Sequence, residues 1–481
     1  METALSPRIS TDHAPLVENL LLVEPAEQTC LVEDIEGDIP EFVRGTYYLN
    51  GPAGFARPNF NYSHWLDGDG MVSSLRFDDG SVRFVSRFVR TTKFVEETTA
   101  GRPVFRTFGT CFPQDRLRLG IGLESPANVS VYRYGNSLLA FGEQGLPWEL
   151  DPVTLDTRGL FDFSGRLRKL APFAAHPKFD LAADEMFNFG VWFSSEPRLY
   201  LHRFSLGTNT LVFSKAQPID HPCSVHDFGL SAHFAVFYLS PYVLNTRRLL
   251  EGASLMDSLE WRPDLGSTLL ILSRQSGERV SSIPVGNRYC LHLINCFEAN
   301  GHLFVDLIEM DRPIYDQYET LPDLFVDVPE GQPTRLEIDF KSEQVLSRQA
   351  IDYCSAPDFP SINPRSANQS YSDFWMLGIS ATGRYGRKFF DQLVHARWSE
   401  PALLDVYQAP PMHYLAGEPI FIGDTAIDSD DGVVMCQLLD AAQQISAFVF
   451  FNAFAVHRGP IATVRLPHPV APGFHASFYR S

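Results

Sequence analysis

The chain has 481 residues, 44 % of them hydrophobic, and its formal net charge is −19. This negative charge excludes a nucleic-acid partner, because nothing in the composition would neutralise a phosphate backbone. The length and apolar content instead suit one large β architecture, and we expect residues 1–481 to form a single domain.

Tight-turn signals divide much of the chain into predicted β-hairpins. Each signal adjoins runs rich in Val, Phe, Tyr and Leu, the pattern of two strands joined by a two-residue loop. The signals are Asp79-Gly80, Gly135-Asn136, Asn300-Gly301 and Asp431-Gly432. Since strands and helices do not alternate, the pattern favours an all-β sandwich, barrel or propeller.

Helical periodicity is scarce, and residues 242–261 are the best candidate for a helix. One interpretation is a surface helix packed on the fold. The alternative is a peripheral membrane contact through this segment. Its apolar face would carry Val243, Leu244, Leu250, Leu255, Leu259 and Trp261.

Targeting and redox signals favour the cytoplasm. The first residues lack the charged and apolar regions of a signal peptide, and no run reaches the roughly 18 apolar residues of a spanning helix. The seven cysteines contain no Cys-x-x-Cys pair, which favours reduced thiols over a disulfide framework. We therefore expect a cytoplasmic protein, soluble or peripherally attached to a membrane.

Four histidines far apart in the sequence stand in segments typical of metal ligands: His176, His226, His292 and His475. Their separation excludes a zinc finger or a single-helix motif, so one shared ion would require the fold to gather them on a common axis. A propeller does this best, because its blades all point their inner strands at one axis. Imidazole binds zinc, copper, iron and nickel, so the residue type leaves the metal open.

The flanking segments resemble the carotenoid cleavage oxygenase family, which also contains retinal isomerohydrolase and the lignostilbene dioxygenases. Seven segments stand in family order: residues 45–52, residues 64–71, the segments around His176, His226 and His292, residues 416–421, and the segment around His475. The resemblance spans nearly the whole chain. It implies a seven-bladed β-propeller with a dome of loops and short helices over the top face, and one Fe(II) per chain held by the four histidines.

The resemblance also implies three carboxylates that hydrogen-bond the ligand histidines. Glu143 matches the first and would orient His226, and Glu418 matches another and would orient the histidine of the C-terminal segment. At the third position Asp358 stands where relatives have glutamate. Aspartate is one methylene shorter, so its bond to His292 would need a backbone shift, a bridging water or a longer contact.

Two cavity positions bear on the substrate. Lignostilbene-cleaving relatives carry a tyrosine and a lysine that engage a phenol, and the matching residues here are Phe108 and Gly142. Neither can ionise or accept a phenolic proton, so the site lacks the polar groups that would select a phenol. This departure favours a polyene, and Gly142 would widen the cavity.

The resemblance therefore predicts a non-haem Fe(II)-dependent oxygenase that cleaves a C=C double bond of a carotenoid or apocarotenoid with O2, giving aldehydes. Its partner would be an apolar polyene, and no obligate protein partner is evident. Three alternatives remain. They are a dioxygenase for stilbenes or phenylpropenes, an O2-independent retinyl-ester isomerohydrolase on the same scaffold, and a propeller that only binds polyenes or a partner.

Overall fold

Antiparallel hairpins build most of the chain, as the turn signals predict. The computed structural model describes residues 21, 25–78, 80–118, 122–318, 324–424 and 431–481. In the hairpin between residues 299 and 302, Asn300 and Gly301 have φ of 54° and 82°, the left-handed backbone of a two-residue loop. Asp79 of another predicted turn lies outside the described residues.

Seven antiparallel sheets form the blades of a β-propeller, which confirms the predicted fold. From its outer to its inner strand, blade 1 consists of Gln28–Leu31, Ser81–Phe88, Asp69–Asp78, Gly45–Ala53 and Ala476–Arg480. Blade 2 consists of Thr157–Leu160, Trp148–Leu150, Ser137–Phe141 and Ser130–Tyr134. Blade 3 consists of Thr210–Pro218, Arg198–Ser205, Glu185–Trp192 and Lys178–Asp180.

The remaining blades follow the same plan. Blade 4 consists of Arg279–Gly286, Ser267–Ser273, Phe234–Leu239 and Gly229–Leu230. Blade 5 consists of Gln344–Ala350, Gly331–Asp339, His302–Met310 and Tyr289–Ala299. Blade 6 consists of Asp405–Gln408, Gln392–Arg397, Asp373–Gly378 and Asp358–Ile362. Blade 7 consists of Ile35–Gly37, Pro460–Arg465, Ile445–Asn452, Gly432–Asp440 and His413–Gly423.

Early and late parts of the chain pair with each other to close the ring of blades. In blade 1 the strand Ala476–Arg480 pairs with Gly45–Ala53, and in blade 7 the strand Ile35–Gly37 pairs with Pro460–Arg465. Buried apolar side chains fill the space between neighbouring blades. Burial of this surface fixes the blades relative to one another and holds their inner strands around one axis.

The few helices lie in insertions, most of which join two strands of the same blade, and they agree with the predicted dome. The described helices are Thr92–Ala100, Thr246–Leu250 and Leu255–Ser258, with 3-10 turns at Trp65–Asp67, Pro263–Leu265, Tyr315–Tyr318, Pro364–Ser366 and Val456–Arg458. Two strand pairs accompany them: Ala56–Arg57 with Phe60–Asn61, and Tyr242–Leu244 with Leu259–Trp261. Trp65, Phe108, Leu255 and Tyr315 from these insertions share one hydrophobic cluster.

Residues 242–261 do not form one helix, so that prediction is wrong. The segment begins and ends in paired strands and contains two short helices between them. Asn245 and Ser254 each cap the start of one helix, and Gly252 between them has φ 113°, outside the helical range. In the described part of the chain, none of the helices is long and apolar enough to cross a membrane.

Candidate metal centre

Four blades bring one histidine each to the propeller axis. His176, His226 and His475 stand just before the inner strands of blades 3, 4 and 1, and His292 lies within the inner strand of blade 5. One ring nitrogen from each of the four lies within 4.8 Å of the others, and all four side chains are buried. The histidines singled out from the sequence are therefore neighbours in the fold.

Three of the imidazole rings meet through their Nε2 atoms. His226 Nε2 lies 2.9 Å from His176 Nε2 and 3.2 Å from His292 Nε2. The centroid of the His475 ring lies 4.3 Å from that of His176 and 5.0 Å from that of His292. The cluster thus directs imidazole nitrogens into one small buried volume.

Glutamates from two further blades contact the outer ring nitrogens of two histidines. Glu143 follows the second strand from the axis in blade 2, and its Oε2 and Oε1 lie 2.8 and 3.0 Å from His226 Nδ1. Glu418 lies on the inner strand of blade 7, with Oε2 3.3 Å from His475 Nδ1. Each glutamate contacts the histidine that the family resemblance assigns to it.

Asp358, from blade 6, reaches His292 directly in spite of its shorter side chain. Its Oδ1 lies 2.5 Å from His292 Nδ1 and also accepts from the Phe359 amide at 2.9 Å. The backbone here is irregular: strand register shifts between Asp358 and Ser361, and Phe359 has φ 51°, a left-handed value that is uncommon outside glycine. The direct bond therefore accompanies an irregular backbone at Asp358. With Asp358 included, every blade contributes one histidine or one carboxylate to the cluster.

The carboxylates set the tautomers of their histidines. An ionised carboxylate only accepts hydrogen bonds, so Nδ1 of His226 and of His292 carries the hydrogen. In neutral rings both Nε2 atoms are then acceptors, and they face each other at 3.2 Å. Facing lone pairs in a buried site are unfavourable unless a cation or a proton lies between them. The donor set therefore fits a metal ion.

Burial and neighbouring charges tune the pKa of the cluster. Burial lowers the pKa of His176 well below its usual value, and His475 and His226 lower it further. Burial also lowers the pKa of His475. At His292 burial acts to lower the pKa, but the Asp358 carboxylate outweighs it and the net pKa is raised. The lowered pKa values of His176 and His475 favour the neutral imidazole, the form that binds metals.

An unpaired carboxylate oxygen gives a second sign of missing positive charge. Asp358 Oδ2 is buried and accepts no hydrogen bond from any residue that the structure describes. A buried anion is costly unless it is paired or fully hydrogen-bonded. A cation held by His292 would supply the compensating charge.

Two residues beside the centre were not predicted from the sequence. Tyr315 Oη lies 3.3 Å from both Glu143 Oε1 and His226 Nδ1, and its hydroxyl donates to the glutamate. The Tyr315 carbonyl accepts from His64 Nε2 at 3.0 Å, since His64 Nδ1 already accepts from the Leu66 amide. Tyr315 stands in an insertion with no metal-site pattern around it, so only the fold reveals its place.

The second missed residue is Asp227, a buried carboxylate next to His226. Its Oδ1 lies 2.8 Å from Lys178 Nζ, and its Oδ2 accepts from the Leu293 amide at 2.9 Å. An acidic residue beside a ligand histidine was the available signal, but in sequence it is indistinguishable from an ordinary strand-end carboxylate.

A cavity of about 150 Å³ opens beside Glu143. Phe108 lines it, and its ring centroid lies 5.1 Å from that of Tyr315. At Gly142, by contrast, a Cβ would lie 2.1 Å from Ser125 Oγ. Ser125 fills the space that a side chain would take, so Gly142 makes room for Ser125 and does not widen the cavity.

Comparisons with known proteins agree with this geometry. The family model of the retinal pigment epithelial membrane protein, RPE65, matches residues 23–480. The chain belongs to this family. Its relatives include carotenoid cleavage oxygenases, so the predicted family and the predicted class of enzyme are confirmed.

Individual members of the RPE65 family differ in what they act on. The apocarotenoid-15,15'-oxygenase of Synechocystis sp. is 30 % identical over 473 residues, covering 95 % of this chain and 94 % of that protein. An isoeugenol monooxygenase of Pseudomonas putida is 28 % identical and covers 92 % of this chain and 93 % of its own. A cobalt-substituted Synechocystis ACO structure has a TM-score of 0.87 at 28 % identity, covering 97 % and 98 % of the two chains. Family membership alone therefore leaves the substrate open.

Proposed function

We propose that this chain is a non-haem Fe(II)-dependent oxygenase that uses O2 to cleave a C=C double bond of a carotenoid or apocarotenoid, giving aldehydes. The observation that carries the proposal is the cluster of four buried histidines whose ring nitrogens lie within 4.8 Å of one another, with Nε2 of His226 and Nε2 of His292 only 3.2 Å apart. A set of imidazoles without cysteine favours iron chemistry over a structural zinc site.

The four histidines would hold one ion per chain. The bound ion would supply the activation of O2 for attack on the double bond. The protein's own part is to present neutral imidazoles in fixed orientations. Glu143, Asp358 and Glu418 do this by holding a proton on Nδ1 of their histidines, and their charges offset that of the ion.

The cavity beside Glu143 favours an apolar substrate with a polar end. Leu123, Phe193 and Leu255 line it, and burial of a conjugated chain against such side chains is favourable. Arg118 and Lys169 in the same wall suit an oxygenated end group, which an apocarotenoid carries and a hydrocarbon carotene lacks.

Access from a membrane surface fits the segment 242–261. Three leucines of this segment line the cavity: Leu244, Leu255 and Leu259. Leu250 of the same segment points to the outside, with 65 % of its surface exposed. Such a segment would face the lipid from which an apolar substrate enters. All seven cysteines are free, which supports a reducing, cytoplasmic location.

Incubation of the iron-loaded protein with and without isotopically labelled O2 tests the proposal. The substrates would be carotenoids, apocarotenals, retinyl esters and stilbenes, with products identified by mass. We expect two aldehydes from a polyene, label in the products, and no turnover without O2. Cleavage of stilbenes alone would refute the substrate class. Conversion of a retinyl ester without O2, or a protein that takes up no iron, would refute the oxygenase itself.

A further inference from the structure

We propose that Asp227 is a positioning residue that ties three of the four histidine segments together. The inference rests on the proposed metal centre, because it concerns how the ligand histidines are held. Asp227 directly follows His226, and 2 % of its side chain is exposed. It lies where the chain enters the inner strand of blade 4, facing the neighbouring blades 3 and 5.

Each carboxylate oxygen of Asp227 binds a different neighbouring segment. Oδ1 lies 2.8 Å from Nζ of Lys178, which follows the histidine of blade 3 by two residues. Oδ2 accepts from the amide of Leu293, which follows the histidine of blade 5 directly. Because Asp227 itself adjoins the histidine of blade 4, its one carboxylate links the histidine segments of three consecutive blades.

This link matters most for His176. Glu143, Asp358 and Glu418 contact the other three histidines, and the His176 Nδ1 atom lies 4.0 Å from Asp227 Oδ1, too far for a hydrogen bond. Asp227 therefore holds His176 through Lys178 and the backbone instead of by a direct bond. Its negative charge also lies on the outer side of the His176 ring, the side that the other carboxylates occupy at their histidines.

Asp227 accepts three hydrogen bonds, and only a carboxylate can accept all of them. The donors are Lys178 Nζ, the Leu293 amide and the Phe228 amide, which donates to Oδ1 at 2.7 Å. Asparagine has one oxygen and one amino group, so its amino group would face a donor. Asp227→Asn thus keeps the shape of the side chain and breaks the link on at least one side.

The test compares Asp227→Asn with the matched control Asp306→Asn. Asp306 has none of its side chain exposed and pairs with Arg335 at 2.7 Å, on the second strand from the axis in blade 5. Both variants lose a buried carboxylate, but Asp306 links blade strands and no histidine segment. The readouts are the affinity of the protein for Co²⁺, the visible absorption spectrum of bound Co²⁺, and thermal unfolding.

We expect Asp227→Asn to bind Co²⁺ about 10–100-fold more weakly, with a changed spectrum, as for other groups that orient metal ligands. Asp306→Asn should lose thermal stability but keep the wild-type affinity and spectrum, and Asp227→Glu should recover part of the affinity. Wild-type Co²⁺ binding in Asp227→Asn, or an equal change in Asp306→Asn, would overturn the inference. A wild-type protein that binds no Co²⁺ would instead refute the metal centre.

Lys178→Met keeps the proposal testable if Asp227→Asn does not fold. The Lys178 side chain is 30 % exposed, so its removal should leave the fold intact while freeing the His176 segment. We expect a several-fold loss of Co²⁺ affinity and a lower unfolding temperature, because the buried Asp227 carboxylate loses its cationic partner. Unchanged affinity in this variant would contradict the link to His176.

Discussion

The two sides of the histidine cluster are built in different ways. On the open side, 19 % of the Glu143 side chain is exposed and Glu143 lines the cavity. Tyr315 Oη lies 3.3 Å from Glu143 Oε1, and the Tyr315 ring packs against Phe108 in the cavity wall. On the sealed side, 1 % of the Asp358 side chain is exposed, and its Oδ1 is shared between His292 and the Phe359 amide.

This difference separates two tasks of the site. The open side has a second hydrogen-bonding group and adjoins a cavity, so it can tolerate change. The sealed side has a short, buried carboxylate whose second oxygen is unpaired within the described chain, so it depends on the charge that it faces. Changes on the sealed side should therefore cost more metal affinity than matched changes on the open side.

His292→Ala should have the largest effect, because it removes a histidine of the cluster and leaves Asp358 without its hydrogen-bond partner. We expect iron content and oxygenase activity to be lost together, with metal affinity falling by more than the roughly 100-fold that follows loss of a ligand's hydrogen-bond partner. Metal analysis of purified protein and product assays measure both. His302→Ala is the control, since His302 binds Glu337 at 2.7 Å on the same blade. Iron retained by His292→Ala would show that the metal is not held through His292 on the sealed side.

Asp358→Ala should come next, and Asp358→Glu should be milder. Alanine leaves the buried His292 Nδ1 hydrogen without an acceptor, which costs about 1–3 kcal/mol of unfolding free energy. Metal affinity should fall about 10–100-fold. Glutamate keeps the charge, and its extra methylene must fit into a packed site. Chemical unfolding and Co²⁺ titration measure the two effects. Equal loss in both variants would contradict an orienting role for Asp358.

Much of this centre could be predicted from the sequence because histidines and acidic residues carry recognisable flanking segments. His176 and Glu418 are examples: their neighbours in the sequence match segments of the family, which specify them without any knowledge of distance. The family resemblance also supplied the propeller, which hairpin signals alone did not separate from a sandwich or a barrel. These features depend on local sequence.

Features that depend on packing could not be predicted. The bond from Asp358 to His292 depends on the left-handed backbone at Phe359, which no sequence pattern specified. Gly142 was expected to open space, but Ser125, 17 residues earlier in the chain, fills it. The amphipathic pattern of residues 242–261 suggested one helix, whereas pairing of its two ends as strands overrode that pattern.

Glu143→Gln should cost less than Asp358→Asn, although both remove one charge from a histidine partner. The glutamine oxygen can still accept from His226 Nδ1, and Tyr315 Oη lies 3.3 Å from the same nitrogen. We expect a loss of Co²⁺ affinity within about tenfold for Glu143→Gln and a larger one for Asp358→Asn. The double variant Glu143→Gln with Tyr315→Phe should lose more than the two single changes together. Equal losses in Glu143→Gln and Asp358→Asn would show that the two sides are equivalent.

Phe108→Tyr should have the smallest effect and tests the substrate side of the comparison. The added hydroxyl would lie in the cavity wall near Tyr315, where it offers a hydrogen bond to a phenol and none to a polyene. Metal affinity should therefore stay at the wild-type value, while the ratio of kcat/KM for a phenolic stilbene to that for an apocarotenal rises. The expected rise is a few-fold, because one hydrogen bond contributes about 0.5–1.5 kcal/mol. Phe193→Tyr, in the same cavity wall, is the control for adding a hydroxyl elsewhere. If both variants shift the ratio equally, the hydroxyl acts through cavity polarity in general and position 108 has no special role in rejecting phenols.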